Sequence, residues 1–533
     1  MNPRCGIPFK SMCAILLSLL SGLMLSAGFP KPAMFYLAWV ALVPLLLAIR
    51  GGSGKQAFAL GYLCGFVHSL TSLYWIDYAV YHFGGFSLAL SGLILLLLCL
   101  TMGVYQAVFA LVARKLDSSP RLYVFGLPFV WVSLEWLRAF MISGFPWANL
   151  GYTQTPLIHL IQVADITGVY GVSWLVVLGS TVTAGFGAHF CRRGGPAVLA
   201  ALILCVLVYG FWRSGRLEAM QHLRTAVNVS VVQGNISQDE KWDRTVLNKT
   251  IDIYGRLSTE AAKAKPVPDI IVWPESAMPF YYGLNHGLSG KVDRIVKSNG
   301  VPLLFGTLGV APSGGRLHLL NNACLLDGGA KFLGSYAKQH LVPFGEYVPW
   351  VSLFHFVQNA SVGPVDFVPG KNPGPLNLKG LPMGVLICYE DIFPRIARQS
   401  VRRGAQLLIN ITNDAWYGDT SGPYQEFEIS RWRAIECRVP LARAANTGIS
   451  ALIDATGRTC ASLPLDKRGF LTCALYPMSY LCFYVKYGDL FAWFCVFVTL
   501  CIITYRLFGP LCFKKAPGGH GVHQPENVRQ QGG

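Results

Sequence analysis

What most constrains this chain is a succession of apolar runs close to the roughly 20 residues that a helix needs to cross about 30 Å of hydrocarbon. Seven precede a long polar stretch, over 11–28, 33–49, 57–75, 87–113, 122–141, 169–190 and 197–212, and an eighth follows it over 488–505. The pattern predicts a multi-span helical bundle of about eight helices carrying one large water-facing domain. Composition agrees, because 13% of the 533 residues are charged where soluble domains average about 25%, and the mean hydropathy is +0.43. Arg4 and Lys10 before the first run, with Ser26 and Ala27 closing it, have the outline of a cleavable signal peptide. The further runs that follow at once favour an uncleaved first helix.

Short loops rich in Lys and Arg stay on the cytoplasmic side. The loops after the second, fourth and sixth runs hold Arg50 and Lys55, then Arg114, Lys115 and Arg121, then Arg192 and Arg193, and Arg506, Lys514 and Lys515 follow the eighth. The alternate loops carry Asp77 and Asp165 instead. Both termini are therefore expected inside and the polar domain outside, which in a bacterium is the periplasm, with the chain multi-pass in the inner membrane. The formal charge of +17 partly reflects this bias, which anionic head groups reinforce, and no nucleic-acid motif claims it. The fifteen cysteines follow no short regular spacing, so structural thiols are the default for all but one.

The expected organisation is a bundle of seven helices over 1–215, a soluble domain over 216–480, an eighth helix over 481–508 and a cytoplasmic tail over 509–533. The tail, rich in Gly, His and Gln after Ala516, is expected to be disordered. Within the domain, short runs with β-branched residues alternate with polar helical stretches, the pattern of an α/β fold. Strands are expected over 227–233, 269–273, 303–307, 383–388, 406–411 and 450–454.

Three segments carry residues for which a core has no use. Glu275 follows Ile270, Ile271 and Val272 in Trp-Pro-Glu, Lys338 and Glu346 follow Gly334 and Ser335, and Cys388 follows Val385, Leu386 and Ile387. A cysteine at such a strand-to-helix turn stands above the sheet, by the geometrical logic of a nucleophile elbow. A thiol is only a few per cent ionised at neutral pH, so a carboxylate that takes its proton and a cation that favours the thiolate both raise its reactivity. Glu275 suits the first role and Lys338 the second, and the Lys338 ammonium with the backbone N–H after Cys388 suits the oxyanion of an attacked ester. Taken singly, a cysteine at a strand end is usually a packed thiol, and a Glu or Lys a solvated charge. Together, in this order and these contexts, they point to acyl transfer through a thioester.

The strings Trp273-Pro-Glu-Ser, Tyr336-Ala-Lys-Gln-His-Leu-Val-Pro-Phe-Gly-Glu-Tyr and Ile387-Cys-Tyr-Glu-Asp resemble the carbon-nitrogen hydrolase (nitrilase-like) superfamily and its membrane branch, the apolipoprotein N-acyltransferases. Glu135-Trp-Leu-Arg, Gly144-Phe-Pro-Trp, Gln233-Gly-Asn-Ile, Lys241-Trp, Thr412-Asn-Asp-Ala-Trp and Gly422-Pro-Tyr-Gln extend the resemblance over nearly the whole chain. The resemblance implies a four-layer αββα sandwich with Glu275 as base, Lys338 as oxyanion stabiliser and Cys388 as nucleophile. It also implies that Glu346 holds the lysine, that Tyr389 and Glu390 serve beside the nucleophile, and that Trp242 lies on a functional loop. A phospholipid would donate the acyl chain, and the α-amine of the diacylglyceryl cysteine of an apolipoprotein would accept it. Glu426 departs from the pattern, since His is usual there.

A lipid amine leaves the bilayer only at about 0.8 kcal/mol per CH₂, so the site must come to the membrane, and apolar cover must keep water from the thioester. Trp147, Trp242 and Trp416 are candidates for that cover, although tryptophans gather at membrane interfaces whatever the function. Glu135 and Arg138, three apart on one helix face, suggest a structural ion pair. His68 and His340 suggest scaffold hydrogen bonds, because no His or Cys spacing resembles a metal site; no cofactor is expected. Two other functions were weighed against acyl transfer to lipoprotein. A lipid transporter needs ionisable residues through the bundle, and the runs are nearly free of charge. A membrane-tethered amidase shares the three residues, but the multi-span bundle and its motifs oppose it.

The alternating basic loops generate a direct test. A reporter fused after Trp212 or inside 216–480 is expected to be active only when exported, and a cytoplasmic signal from that domain overturns the topology.

Overall fold

The computed structural model describes residues 9–141, 144–185, 189–238, 246–313, 316–343, 345–347, 367–371 and 374–512. Helix occurs in each expected apolar run, but the runs are not equivalent. The longest helices are Leu88–Leu116 and His189–Gln221. The run over 33–49 is broken into a 3₁₀ turn, Phe35–Trp39, and the six-residue helix Val43–Ala48 with Pro44 in its first turn. Gly54–Ser72, started by a reciprocal cap between Ser53 and Gln56, bends by 53° into Trp75–Phe83. Pro120–Arg138 carries Arg121, Glu135 and Arg138. By length and composition, two helices among the described residues are long and apolar enough to cross a membrane, or three if the bent pair is one span. That is fewer than the eight expected, because the remaining helices are short, broken or charged.

The bundle nonetheless has the surface of a membrane protein. Leu93 and Leu97, Leu204 and Val208, and Phe494 and Phe497 are exposed on three helices, where water would penalise so much apolar area and lipid does not. Helix contact within it uses small residues. A methyl group at Gly61 would meet Ala110 Cβ and the Gln106 carbonyl oxygen at 2.5 Å, so Gly54–Ser72 and Leu88–Leu116 approach backbone to backbone. The expected Glu135–Arg138 ion pair does not form among the described residues. Both side chains are buried, and they diverge to pin the following loop: Glu135 accepts from the Trp131 indole at 2.8 Å and the Leu150 N–H at 2.7 Å, while Arg138 donates to Asn149 at 2.8 Å. His68 lies 3.0 Å from Ser26 Oγ and 3.2 Å from Ser72 Oγ, within the scaffold.

The polar domain is a pair of facing sheets. The first comprises β1 (Val227–Gln233), β2 (Ile270–Val272), β3 (Met278–Tyr281), β4 (Leu303–Ser313), β5 (Arg316–Leu326), β6 (Phe332–Ala337) and β13 (Gly469–Leu475). Its order is β13-β1-β2-β4-β5-β6, with β3 beside β4. The second comprises β7 (Leu376–Leu378), β8 (Leu381–Ile387), β9 (Leu407–Thr412), β10 (Leu441–Ala445), β11 (Ser450–Ile453) and β12 (Thr459–Leu463), in the order β12-β11-β10-β9-β8-β7. Strands β1, β2 and β4 run parallel, as do β8, β9 and β10. Parallel strands are buried on both faces, so they read as the continuous apolar runs Ile270–Val272 and Leu407–Thr412. Helices Leu247–Lys263 and His286–Asn299 cover the first sheet, and Pro394–Arg402 and Gly422–Cys437 the second. This is the expected sandwich of two sheets between helices.

Helix Gly422–Cys437 also docks the domain on the bundle. Gln425 Oε1 accepts from the indoles of Trp147 at 2.7 Å and Trp75 at 3.3 Å, while its amide donates to the Pro30 and Ser72 carbonyls. Trp432 donates to Thr155 at 2.9 Å and Arg433 to the Tyr152 hydroxyl at 3.0 Å. Just beyond the helix, Arg438 meets Asp165 at 2.9 Å, and Asp165 also accepts from Arg213 at 2.6 Å and Tyr209 at 2.8 Å. One buried carboxylate thus bridges two guanidiniums, one from each half of the molecule. Asp165→Ala leaves both without their counter-charge and is expected to lower stability by about 3–5 kcal/mol. A thermal or protease-resistance midpoint unchanged in that variant would contradict this account of the junction.

Candidate active site

The loops that matter leave the sheets at neighbouring strand ends. Glu275 follows β2, Lys338 follows β6 and Cys388 follows β8, so two elements come from the first sheet and one from the second. Gly306 in β4 makes room for the first of these loops, since a Cβ there would lie 2.4 Å from the Ser276 nitrogen and 2.7 Å from Glu275 Cα. Ser276 itself has φ of +45°, a left-handed conformation that a non-glycine residue adopts at some cost.

Lys338 is 1% exposed. Its Nζ lies 2.9 Å from Glu346 Oε2 and 3.5 Å from Glu275 Oε1. Burial alone would lower the lysine pKa, but Glu346 and then Glu275 outweigh it and hold the ammonium well above its ordinary value. Asn321, on β5, donates to Glu275 Oε1 at 2.8 Å and to Glu346 Oε1 at 2.9 Å, and the Val342 N–H donates to Glu346 Oε2 at 2.9 Å. Glu346 is therefore the firmly held partner of the lysine.

Strand β8 stops one residue before the expected end, and Cys388 opens the 3₁₀ turn Cys388–Ile392 with φ of +51°. The turn presents the thiol in the way an elbow presents its nucleophile, while leaving it only 7% exposed. Burial, and after it the Glu275 charge, push the Cys388 thiol well above its ordinary pKa, and Lys338 pulls the other way. The resting side chain is thus a thiol that must hand its proton on before it attacks.

Glu390 ties the nucleophile turn to the lysine segment. It accepts from the Ile387 N–H at 2.8 Å, the Gln339 N–H at 2.6 Å, the His340 N–H at 3.2 Å and the Tyr336 hydroxyl at 2.9 Å. Burial pushes this carboxyl up to about 7, against the pull of its N–H donors. Tyr389 is buried with its ring edge-on to Phe393 at 5.2 Å. His340 sits 3.9 Å from the Phe393 ring, and burial, then Lys338, lower its pKa to about 4, so it is a neutral scaffold residue.

Beneath the turn lies a second charge cluster. Arg443, on β10, is 2.9 Å from Asp391, 2.9 Å from Asp414 and 3.7 Å from Glu426. All four side chains are fully buried. One guanidinium cannot balance three buried carboxylates, and burial followed by the Asp414 charge drives Glu426 well above its ordinary value. The residue that departs from the family pattern thus sits fully buried in a crowd of acids, 3.7 Å from the one guanidinium they share.

The aromatic cover is only partly where it was expected. Trp147 is 1% exposed, locked by Gln425 and packed with Trp75 and Tyr417 at ring-centroid distances of 6.2 Å or less. It belongs to the junction between bundle and domain and not to an exposed lid, because its indole N–H has a buried acceptor. Trp416 is half-buried against Phe83 of the bundle at 5.2 Å. Trp242 lies outside the described residues, as does the tail over 513–533. Two residues of this site escaped the sequence analysis. Asn321 bridges both glutamates, and nothing in its strand, which also holds Arg316, His318 and Asn322, singled it out. Arg443, in Leu441–Ala445, had the signal of a lone charge in a buried strand.

Residues 21–182 match the apolipoprotein N-acyltransferase N-terminal domain, and residues 228–478 match the carbon-nitrogen hydrolase domain. The chain is 40% identical to an apolipoprotein N-acyltransferase of Geobacter metallireducens over 90% of its own length and 93% of that protein. It is 32% identical to one of Methylococcus capsulatus over the same shares. An amidase from Nesterenkonia sp. AN1 aligns with 46% of this chain and 92% of its own, at 20% identity and a TM-score of 0.35. The chain belongs to the apolipoprotein N-acyltransferase family, the acyltransferases that join a membrane helical region to a carbon-nitrogen hydrolase domain.

Proposed function

We propose that this enzyme moves an acyl chain from a phospholipid to the α-amine of the diacylglyceryl cysteine of an apolipoprotein, through a thioester on Cys388. In this reading about eight helices, seven over 1–215 and one over 481–508, hold the domain over 216–480 on the periplasmic side of the bacterial inner membrane. The observation that carries it is the contact between the loops around the nucleophile turn and the bundle. Tyr417, in the turn after β9, packs on Trp75 and Trp147 of the bundle. Phe393, at the end of the nucleophile turn, lies against the loop at Gly144. A site turned toward the helices suits substrates that stay in the bilayer better than small soluble amides.

The steps follow from the residues. Glu275 takes the Cys388 proton, and the thiolate adds to the ester carbonyl of the phospholipid. The Lys338 ammonium, with the N–H of Tyr389, faces the oxyanion. Collapse breaks the ester bond, and the departing lysophospholipid oxygen takes the proton from Glu275. The acceptor amine then adds to the thioester carbonyl, Glu275 removes its proton, and the amide leaves as the C–S bond breaks. Cys388 recovers its proton from Glu275. Two lipids use one groove in turn, so neither has to accommodate the other around a single tetrahedral carbon.

Lys338→Arg keeps the charge but replaces a compact ammonium with a planar fork that a fully buried site cannot orient. It is expected to lower kcat by about 100-fold or more, and activity within a few-fold of wild type would reduce Lys338 to a distant charge.

Protein given phospholipid without acceptor is expected to gain one acyl group on Cys388, labile to hydroxylamine, and to release lysophospholipid. Glu275→Gln is expected to acylate slowly, and Cys388→Ala and Cys388→Ser hardly at all. Acyl label reaching the acceptor at the wild-type rate in Cys388→Ala would replace this mechanism with direct transfer.

A further inference from the structure

The two sheets of the domain end together at one side, where β12 closes the second sheet and β13 the first. Cys460 lies on β12 and Cys473 on β13. In β12 the pairing with β11 slips, with Leu452 opposite Ala461 but Ile453 opposite Thr459, so Cys460 is the extra residue of a bulge. Cys473 is held in regular register opposite Val229 of β1. Facing sheets ordinarily stand about 10 Å apart, too far for a disulfide. Here the edge strands β12 and β13 are in contact, and the Cys460 and Cys473 thiols neighbour each other. Cys460 is exposed and Cys473 half-buried, so a reagent in solution reaches the first. Cys437 and Cys482 also neighbour each other, but both are buried, and Cys482 donates to the Glu436 carbonyl at 3.0 Å.

We propose that Cys460 and Cys473 form a disulfide that staples the two sheets at this edge. The proposal rests on the reading that the domain is exported, because disulfides persist in oxidising compartments and are rare in reducing ones. The oxidant is a disulfide-bearing one, a thiol oxidase or an oxidised low-molecular-weight thiol. The Cys460 thiolate attacks a sulfur of that oxidant, forming a mixed disulfide and releasing one thiol. The Cys473 thiolate then attacks Cys460 Sγ, closing the bond and releasing the second thiol. The protein loses two protons and two electrons, and the oxidant is reduced to two thiols.

The test traps free thiols in intact cells expressing the full chain, with an alkylating reagent and acid quench, and then reads the peptides by mass spectrometry before and after reduction. The peptides bearing Cys460 and Cys473 are expected cross-linked, 2 Da lighter than the dithiol, and open to a second alkylating label only after reduction. In Cys460→Ser, Cys473 becomes free to label, acyl transfer persists, and the thermal midpoint of the domain falls by roughly 5–10 °C. Free alkylation of both thiols, in cells where the reporter fusion places the domain outside, overturns the disulfide and leaves the acyltransferase reading intact. Should the reporter place the domain inside, the topology fails separately. The pairing is then decided with purified protein and oxidised glutathione, where absence of the cross-linked peptide overturns it.

Discussion

One ammonium shared between two carboxylates organises the centre of this protein. Lys338 lies 2.9 Å from Glu346 and 3.5 Å from Glu275, and all three are largely out of water. A buried ion that loses its partner costs several kcal/mol, so the three groups fix one another's positions. Glu346 is held by Lys338, Asn321 and the Val342 N–H. Under the proposed mechanism Glu275 is the carboxylate that takes the Cys388 proton, and a base of this kind needs no imidazole.

The rest of the domain serves that balance by holding three loops from two sheets in register. Glu390 does so directly, with acceptor bonds on both the strand into Cys388 and the segment after Lys338. Arg443 does so from below, joining Asp391 of the nucleophile turn to Asp414 after β9. Helix Gly422–Cys437 contributes Glu426 to that lower cluster and Gln425, Trp432 and Arg433 to the bundle contact. The same helix therefore sets both the floor under the nucleophile and the attitude of the domain on the helices. Both sets of contacts sit on one continuous helix of 16 residues.

Much of this was legible in the sequence, for a physical reason. Glu275, Lys338 and Cys388 each break an apolar strand at its end, and a core has no stabilising use for such residues, so they stand out against their neighbours. Several strand positions were legible too, because the parallel strands β2, β8 and β9 are mostly apolar. What was lost depends on partners distant in sequence. Asn321 is one of several polar residues in β5 and Arg443 is a lone charge in β10, and only the folded sheet reveals that one bridges two glutamates and the other faces three carboxylates. The setting of Trp147, a candidate for the cover, was hidden because its amphipathic ring suits an interface and a core equally, and its buried acceptor, Gln425, is 278 residues away. Glu135 and Arg138 have the spacing of an ion pair, yet backbone and amide partners on the following loop compete successfully for both. Pro44 and the bend after Ser72 likewise interrupt helices that hydropathy alone draws as continuous.

Under the proposed mechanism the second half-reaction asks more of this site than the first. The incoming nucleophile is an α-amine, whose ordinary pKa of about 7.7–8.0 leaves much of it as ammonium at neutral pH. An ammonium has no lone pair with which to attack, and Glu275 cannot strip it unaided in water. Two features of the geometry shift that equilibrium. The site is nearly closed to water around Cys388 and Lys338, and desolvation disfavours a charged amine. The Lys338 ammonium, held permanently charged by Glu346, repels a second cation and so selects the neutral amine for the position next to the thioester. Water, smaller and always neutral, would gain no such advantage, and its exclusion by the bundle-facing aromatics Trp75 and Tyr417 decides between transfer and hydrolysis. A cation introduced to stabilise an oxyanion thereby also prepares the acceptor, which is why its charge must be anchored by a carboxylate other than the base.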